Sequence, residues 1–246
     1  AELAKSAVSQ DAQVLFTAKV DALDITVLKG GGDAVGRWAL QHGFLLTPDA
    51  PEVLDFYARR SPIFMAARFD AKRAARLGQG TGDGTPIMVT IPTDEPWVPL
   101  RILGLGLDKA KRVDADVFVL TDQRPKLLAG GQGLSLKRDE AASASLLDDL
   151  RSDKHMGWMP TSMWFTYLPL SVDAGSLTFD LAIAARPSAL PSVRDAGVTA
   201  SEARAVTLPS RTTLWPWFAG GAVALAAWLL IDLANRRQRR RIGAAA

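Results

Sequence analysis

An α+β fold follows from three features of this 246-residue chain. Two alternating, strand-like runs open it, two short amphipathic helical patterns follow at once, and mostly strand-like segments continue to about residue 185. A mixed or antiparallel sheet with two adjacent short helices is therefore expected over residues 1–185, as an extracytoplasmic domain. Residues 186–213 are expected to form a stalk, residues 214–233 a transmembrane helix, and residues 234–246 an arginine-rich cytoplasmic tail.

The elements can be justified in order. Val14 to Val20 and Ala22 to Leu28 alternate apolar and polar residues, with Leu23, Ile25 and Val27 facing one way. Gly30-Gly31-Gly32 breaks the pattern. Asp33 is placed to cap a helix from Ala34 to about His42, with Val35, Trp38 and Ala39 on one face and Gly43 as its stop. Asp49-Ala50-Pro51-Glu52 has capping-box spacing, with proline in the first turn. The helix that follows aligns Val53, Leu54, Tyr57 and Ala58, and Pro62 ends it. Strands are expected at Ile63 to Phe69, Ile87 to Ile91, Val98 to Leu103 and Ala115 to Leu120. Thr93-Asp94-Glu95-Pro96 makes a turn, and the glycines from Gly78 to Gly84 make a mobile loop. Residues 145–154 read as a short helix. Met163 to Leu170 and Leu177 to Ala185 read as a closing pair of strands. Pro187, Pro191 and Pro209, with many Ser and Thr and little periodicity, suggest the stalk.

The charge is unevenly placed. The net charge is +3 and the isoelectric point about 9.3, but Arg236, Arg237, Arg239, Arg240 and Arg241 lie in one tail, and residues 1–235 hold 24 basic and 26 acidic residues. A nucleic-acid binder needs its basic residues clustered on the folded part, so no nucleic-acid partner is expected. The run Leu214 to Leu233 is 20 residues with one charge, long enough as a helix to cross the ~30 Å hydrocarbon core. Trp215 and Trp217 at one end and the arginines at the other are membrane-interface anchors. The arginines place the C-terminus in the cytoplasm and residues 1–213 outside the plasma membrane. Membrane lipid is then one partner. The competing reading is a buried core helix. Gly220, Ala224 and Ala227 share one face at the spacing that lets a second helix approach, which implies a membrane-protein partner, although an Ala-rich chain also produces such spacing without function. Asp232 reads as an interfacial carboxylate paired with Arg236. No signal peptide is visible at Ala1, so either it has been cleaved or the chain starts partway into a longer precursor.

The residues assemble no catalytic set, and neither a cofactor nor a metal is expected. With no Cys there is no thiolate site, disulfide or cysteine nucleophile. Gly31 to Trp38 resembles a phosphate loop, but Gly36 is followed by Arg37 and Trp38 where lysine and a hydroxyl are needed. Gly30, Gly32 and Gly36 miss the dinucleotide spacing. His42 and His155 stand in separate segments, too few for zinc without cysteines. Asp94 and Glu95 are adjacent and point apart, and Asp83 alone cannot hold calcium. Trp97, Trp158 and Trp164 read as core, with a ligand platform as the alternative.

Residues 22 to about 122 resemble a bacterial family known as domain of unknown function 2330. The resemblance starts at Ala22-Leu-Asp-Ile-Thr-Val-Leu-Lys29 and runs through Trp38, Gly43-Phe44, Tyr57 and Ile63-Phe-Met-Ala-Ala-Arg-Phe69. Its most specific part is Pro86-Ile-Met-Val-Thr-Ile-Pro-Thr-Asp-Glu-Pro-Trp-Val-Pro-Leu-Arg-Ile102, a strand, an acidic-proline turn and a Pro-Leu-Arg strand. The resemblance implies envelope placement with a secretory signal and often a C-terminal membrane helix. It brings no catalytic residues. Members usually carry an earlier half with cysteines, so a chain without Cys is expected to be a truncated or divergent member. Together these readings point to a single-pass envelope protein, a non-catalytic interaction or accessory subunit of a membrane complex. The alternative is a surface-anchored ligand-binding module or hydrolase with a cleft near the Gly78–Gly84 loop.

Overall fold

A computed structural model describes residues 11–79, 87–153 and 156–208. Residues 209–246, which hold the end of the expected stalk and all of the expected transmembrane helix, interface anchors and tail, lie outside these, as do residues 80–86 and 154–155. Among the described residues no helix is long and apolar enough to cross a membrane.

The chain is α+β, with antiparallel strands throughout. The first sheet has strand order β1-β2-β3, from Gln13–Val20, Leu23–Lys29 and Ile63–Phe69. Between β2 and β3 lie the two expected helices, α1 (Gly32–Gln41) and α2 (Ala50–Ala58). They pack on one face of the sheet, where Leu28, Val35 and Leu54 form a small core with Trp38, Phe64 and Ala66. A Cβ on Gly32 would sit 2.6 Å from the Asp55 backbone nitrogen. This glycine therefore serves the close approach of α1 to α2, which accounts for the run that resembles a phosphate loop.

After β3 come α3 (Ala71–Arg76) and β4 (Trp97–Val98), then β5 (Arg112–Thr121), β6 (Lys126–Ala129), β7 (Arg138–Ala141), α4 (Ala144–Ser152), β8 (Trp164–Asp173), β9 (Leu181–Ala184) and β10 (Arg204–Ala205). They make two further sheets, ordered β10-β6-β9-β4 and β5-β8-β7. Apolar residues at every second position of β5 and β8 (Val117, Val119, Leu168, Leu170) meet Leu127, Leu181 and Ile183 of the other sheet around Phe179 in the main core. Three sheets thus replace the single expected one.

Several expectations are corrected. Ile87 to Ile91 is not a strand: Ile87, Met88, Val89 and Ile91 are exposed, between Pro86 and Pro92. The strand expected over Val98 to Leu103 stops after Val98. Pro99 has no N–H, and the next two amides are taken by a carboxylate described below, so Arg101–Gly104 turns as a 3₁₀ helix. Asp33 sits inside the first turn of α1, whose cap is Gly31. Asp49 makes no side-chain cap because its carboxylate accepts from Gly106 N–H at 3.1 Å. Residues 186–208 are not a stalk. Ala196 is fully buried, its carbonyl accepts from Asp180 N–H at 2.9 Å, Val206 N–H donates to Leu127 at 3.0 Å, and β10 extends the sheet beside β6. Prolines and low periodicity marked irregular backbone, yet irregular backbone packs as well as any when its amides find partners.

Candidate functional site

Two features stand out, one polar and sealed, the other apolar and open. The sealed one centres on Asp180, in the apolar run just before β9. Its carboxylate is fully buried. It accepts from Leu100 N–H at 2.7 Å, Arg101 N–H at 2.9 Å, the Tyr57 hydroxyl at 3.0 Å and Arg60 Nη2 at 2.5 Å. Arg60 Nη2 also donates to the Asp195 carbonyl at 2.9 Å. The guanidinium lies 4.3 Å from the Trp97 ring centre and 4.6 Å from that of Phe56, an arrangement suited to cation–π attraction. Tyr57 stacks on Trp97, and its oxygen accepts from Ile102 N–H at 3.0 Å. Burial above all, and then the Asp180 charge, pushes the Tyr57 hydroxyl far above its ordinary pKa, so it stays a donor.

This is the arrangement that makes a buried charge tolerable: a paired cation and a full set of donors. The Asp180 carboxylate is fully partnered, whereas Arg60 Nε and Nη1 are buried without a hydrogen-bond partner among the described residues. The cluster's chemistry is that of a clasp tying α2, the Pro99-Leu100-Arg101 turn, β9 and the segment at Asp195 together. Trp97 belongs to it and is no free platform. Trp164 donates its indole N–H to Asp139 at 2.6 Å, whereas Trp158 is exposed.

The open feature is the first sheet's second face. Paired residues of antiparallel strands share a face, and the register aligns Phe16 with Val27 and Met65, and Val20 with Leu23 and Phe69. Ala18, Ile25 and Ala67 lie between, with Ile25 at the centre buried at 6% exposure and the larger side chains around it open. The charged row Lys19, Asp24 and Arg68 falls on the opposite, helix-bearing face. There Arg73 of α3 donates to Asp24 at 2.9 Å and to Asp70 at 3.4 Å. These contacts, the hydrogen bond from the Arg73 side chain to Asp24 and from its backbone N–H to Asp70 first among them, hold both carboxyls below the usual range. On the apolar face, Phe16 is 59% exposed, Phe69 56%, Ile63 54% and Met65 47%.

The remaining candidates do not converge. His42 stacks on Trp38, with ring centres 4.0 Å apart, at the exposed end of α1. Asp94 pairs with Arg186 at a shallow cavity of about 260 Å³ that Glu95 and Asp195 also line. Among the described residues no group of His, Asp and Glu could hold a metal ion. Sequence reasoning missed Asp180 and the open face, although both leave traces. Asp180 is a lone acid in Leu177 to Ala185, and Ile63-Phe-Met-Ala-Ala is apolar on both parities, which asks for cover on both faces.

The molecule is therefore an α+β protein with a buried polar cluster at Asp180 and with Phe16, Ile63, Met65 and Phe69 exposed together on one sheet face, while Leu45, Phe118, Trp158 and Leu190 are exposed elsewhere. Residues 2–130 match the model of a family described as an uncharacterized protein conserved in bacteria, DUF2330, and the chain belongs to that family. No curated protein and no solved structure matches the chain. The Pro99-Leu100-Arg101 segment within the matched residues is the turn whose amides grip Asp180, a residue beyond the matched region.

Proposed function

We propose that this chain is a non-catalytic accessory subunit of a bacterial cell-envelope complex, held in the plasma membrane by residues 214–233, with its α+β domain outside. The docking surface is the apolar face of β1, β2 and β3. One observation carries this reading: four large apolar side chains, Phe16, Ile63, Met65 and Phe69, stand about half exposed on one sheet face. Monomeric proteins rarely leave such patches uncovered. Fully burying a side chain of this kind contributes about 1.5–3 kcal/mol, so a partner covering the four gains several. The face holds no acid and only Lys29, at its edge, so the matching surface is apolar and uncharged. The 20-residue apolar run followed by five arginines supports the membrane placement.

A photo-crosslinking residue at Met65 in the full chain, expressed in its own membrane, tests the reading. One discrete adduct with a membrane protein other than a second copy of this chain is expected, and the same probe at Arg112, on the exposed surface of β5, gives none. Equal labelling from both positions, or none from Met65, overturns it.

A further inference from the structure

The first sheet has a second unsatisfied feature, and the chain holds its complement. Strand β3 pairs with β2 at every residue from Ile63 to Phe69, and no other described strand pairs with it. Among the described residues, its outer edge has no backbone partner. The other edge, β1, is interrupted by an irregularity between Val14 and Phe16 and carries Lys19, both devices that discourage strand addition. The β3 edge has no bulge or proline, and its lone charge is Arg68.

Ile87-Met-Val-Thr-Ile91 is strand-like by composition: four of five residues are β-branched. Yet it is exposed and makes no backbone hydrogen bond to any described residue. The folded chain does not join the two. Downstream, Trp97–Val98 is fixed in another sheet by β9. Upstream, α3 is tied to the β1–β2 turn by Arg73 Nε on the Asp21 carbonyl and by Asp70 N–H on the Ala22 carbonyl.

We propose that Ile87–Ile91 adds to the free β3 edge of a second copy of this chain, and that the exchange is reciprocal. A two-fold exchange closes on itself and leaves no further edge of the same kind to propagate. Antiparallel addition with Val89 opposite Ala67 sets Ile87 beside Phe69 and Ile91 beside Met65. Ile87, Val89 and Ile91 then widen the apolar face, while Met88 and Thr90 turn to the helix side. Pro86 and Pro92 limit the added strand to five residues, and Pro92 gives the new edge no N–H to extend. The exchange uses backbone in the plane of the sheet, whereas the accessory-subunit reading uses the face, so each can fail alone.

The chain has no cysteine, which makes crosslinking clean. The full chain carrying A67C and V89C is oxidised in its membrane and run without reductant. A band at twice the 26.4 kDa chain mass is expected. Separately tagged A67C-only and V89C-only chains, co-expressed, should give the mixed dimer, with little A67C–A67C product. Adding V89P to a chain that keeps a cysteine pair at Met65 and Ile91 should abolish the dimer. A disulfide within one chain, or no disulfide from either pair, overturns the proposal. Failure here with the Met65 adduct intact leaves the docking reading standing.

Discussion

The Asp180 clasp and the open face of β1, β2 and β3 invert the usual rule of interior and surface. At the clasp, an acid, an arginine and a tyrosine hydroxyl are buried. On the open face, phenylalanine, isoleucine and methionine are exposed. The difference teaches how this chain uses its chemistry: its strongest polar interactions build the fold, and part of its apolar area stays unspent on the surface, where the proposed partner would cover it. An acid and a hydroxyl that a catalytic search would favour are buried in hydrogen bonds to the fold, and residues that a core search would favour are exposed.

The comparison breaks most sharply at Asp180. Asp180→Ala strands Arg60 and two backbone amides, and should cost about 3–5 kcal/mol, read as a lower denaturation midpoint of the purified chain. Combining it with Arg60→Met should recover part of that loss, since removing both charges leaves neither unpaired. Tyr57→Phe removes one donor to Asp180 and the acceptor of Ile102 N–H, for about 1–3 kcal/mol. It also tests a titration. The raised Tyr57 pKa means the folded state keeps a proton that the unfolded state loses above about pH 10. Stability should therefore fall as pH rises past 10, and less steeply in the phenylalanine variant. Asp24 and Asp70 act in the opposite direction. Their lowered pKa values stabilise the fold above the ordinary carboxylate pKa, and this is lost as pH falls below 3.8 through the folded values. Arg73→Leu should flatten the acid limb of a stability–pH curve. The smallest stability effect belongs to the open face: Met65→Gln should stay within about 0.5 kcal/mol of the parent while weakening the membrane-protein adduct captured from a probe at Phe16.

Much of the first sheet was legible in the residues. The alternation of Leu23, Ile25 and Val27, the faces of α1 and α2, and the stop at Gly43 are local signals, and local signals read well. What depended on distant partners did not. Val98 to Leu103 has strand composition, but a carboxylate about 80 residues later takes two of its amides and turns it. Residues 186–208 have a linker's composition, but their amides and Ala196 find places on a sheet that the preceding residues build. The α3 cap was readable, since Asp70 accepts from Arg73 N–H at 2.9 Å, but six residues give too little periodicity to notice. The clasp was half legible: an acid alone in an apolar run announces a buried partner without saying which.

The clasp also sets a timetable. Tyr57 and Arg60 lie 123 and 120 positions before the aspartate they bind. At synthesis rates of about 5–20 residues per second, α2 waits roughly 6–24 s before Asp180 has even been made. Helices form in about a microsecond, so α1 and α2 can be in place early, with an arginine that still has no anion. Contacts this remote in sequence also slow folding through the entropy of closing the intervening loop. The first sheet and its two helices, all made by residue 69, can pack on their own small core beforehand, whereas the clasp closes only once Asp180 has been made.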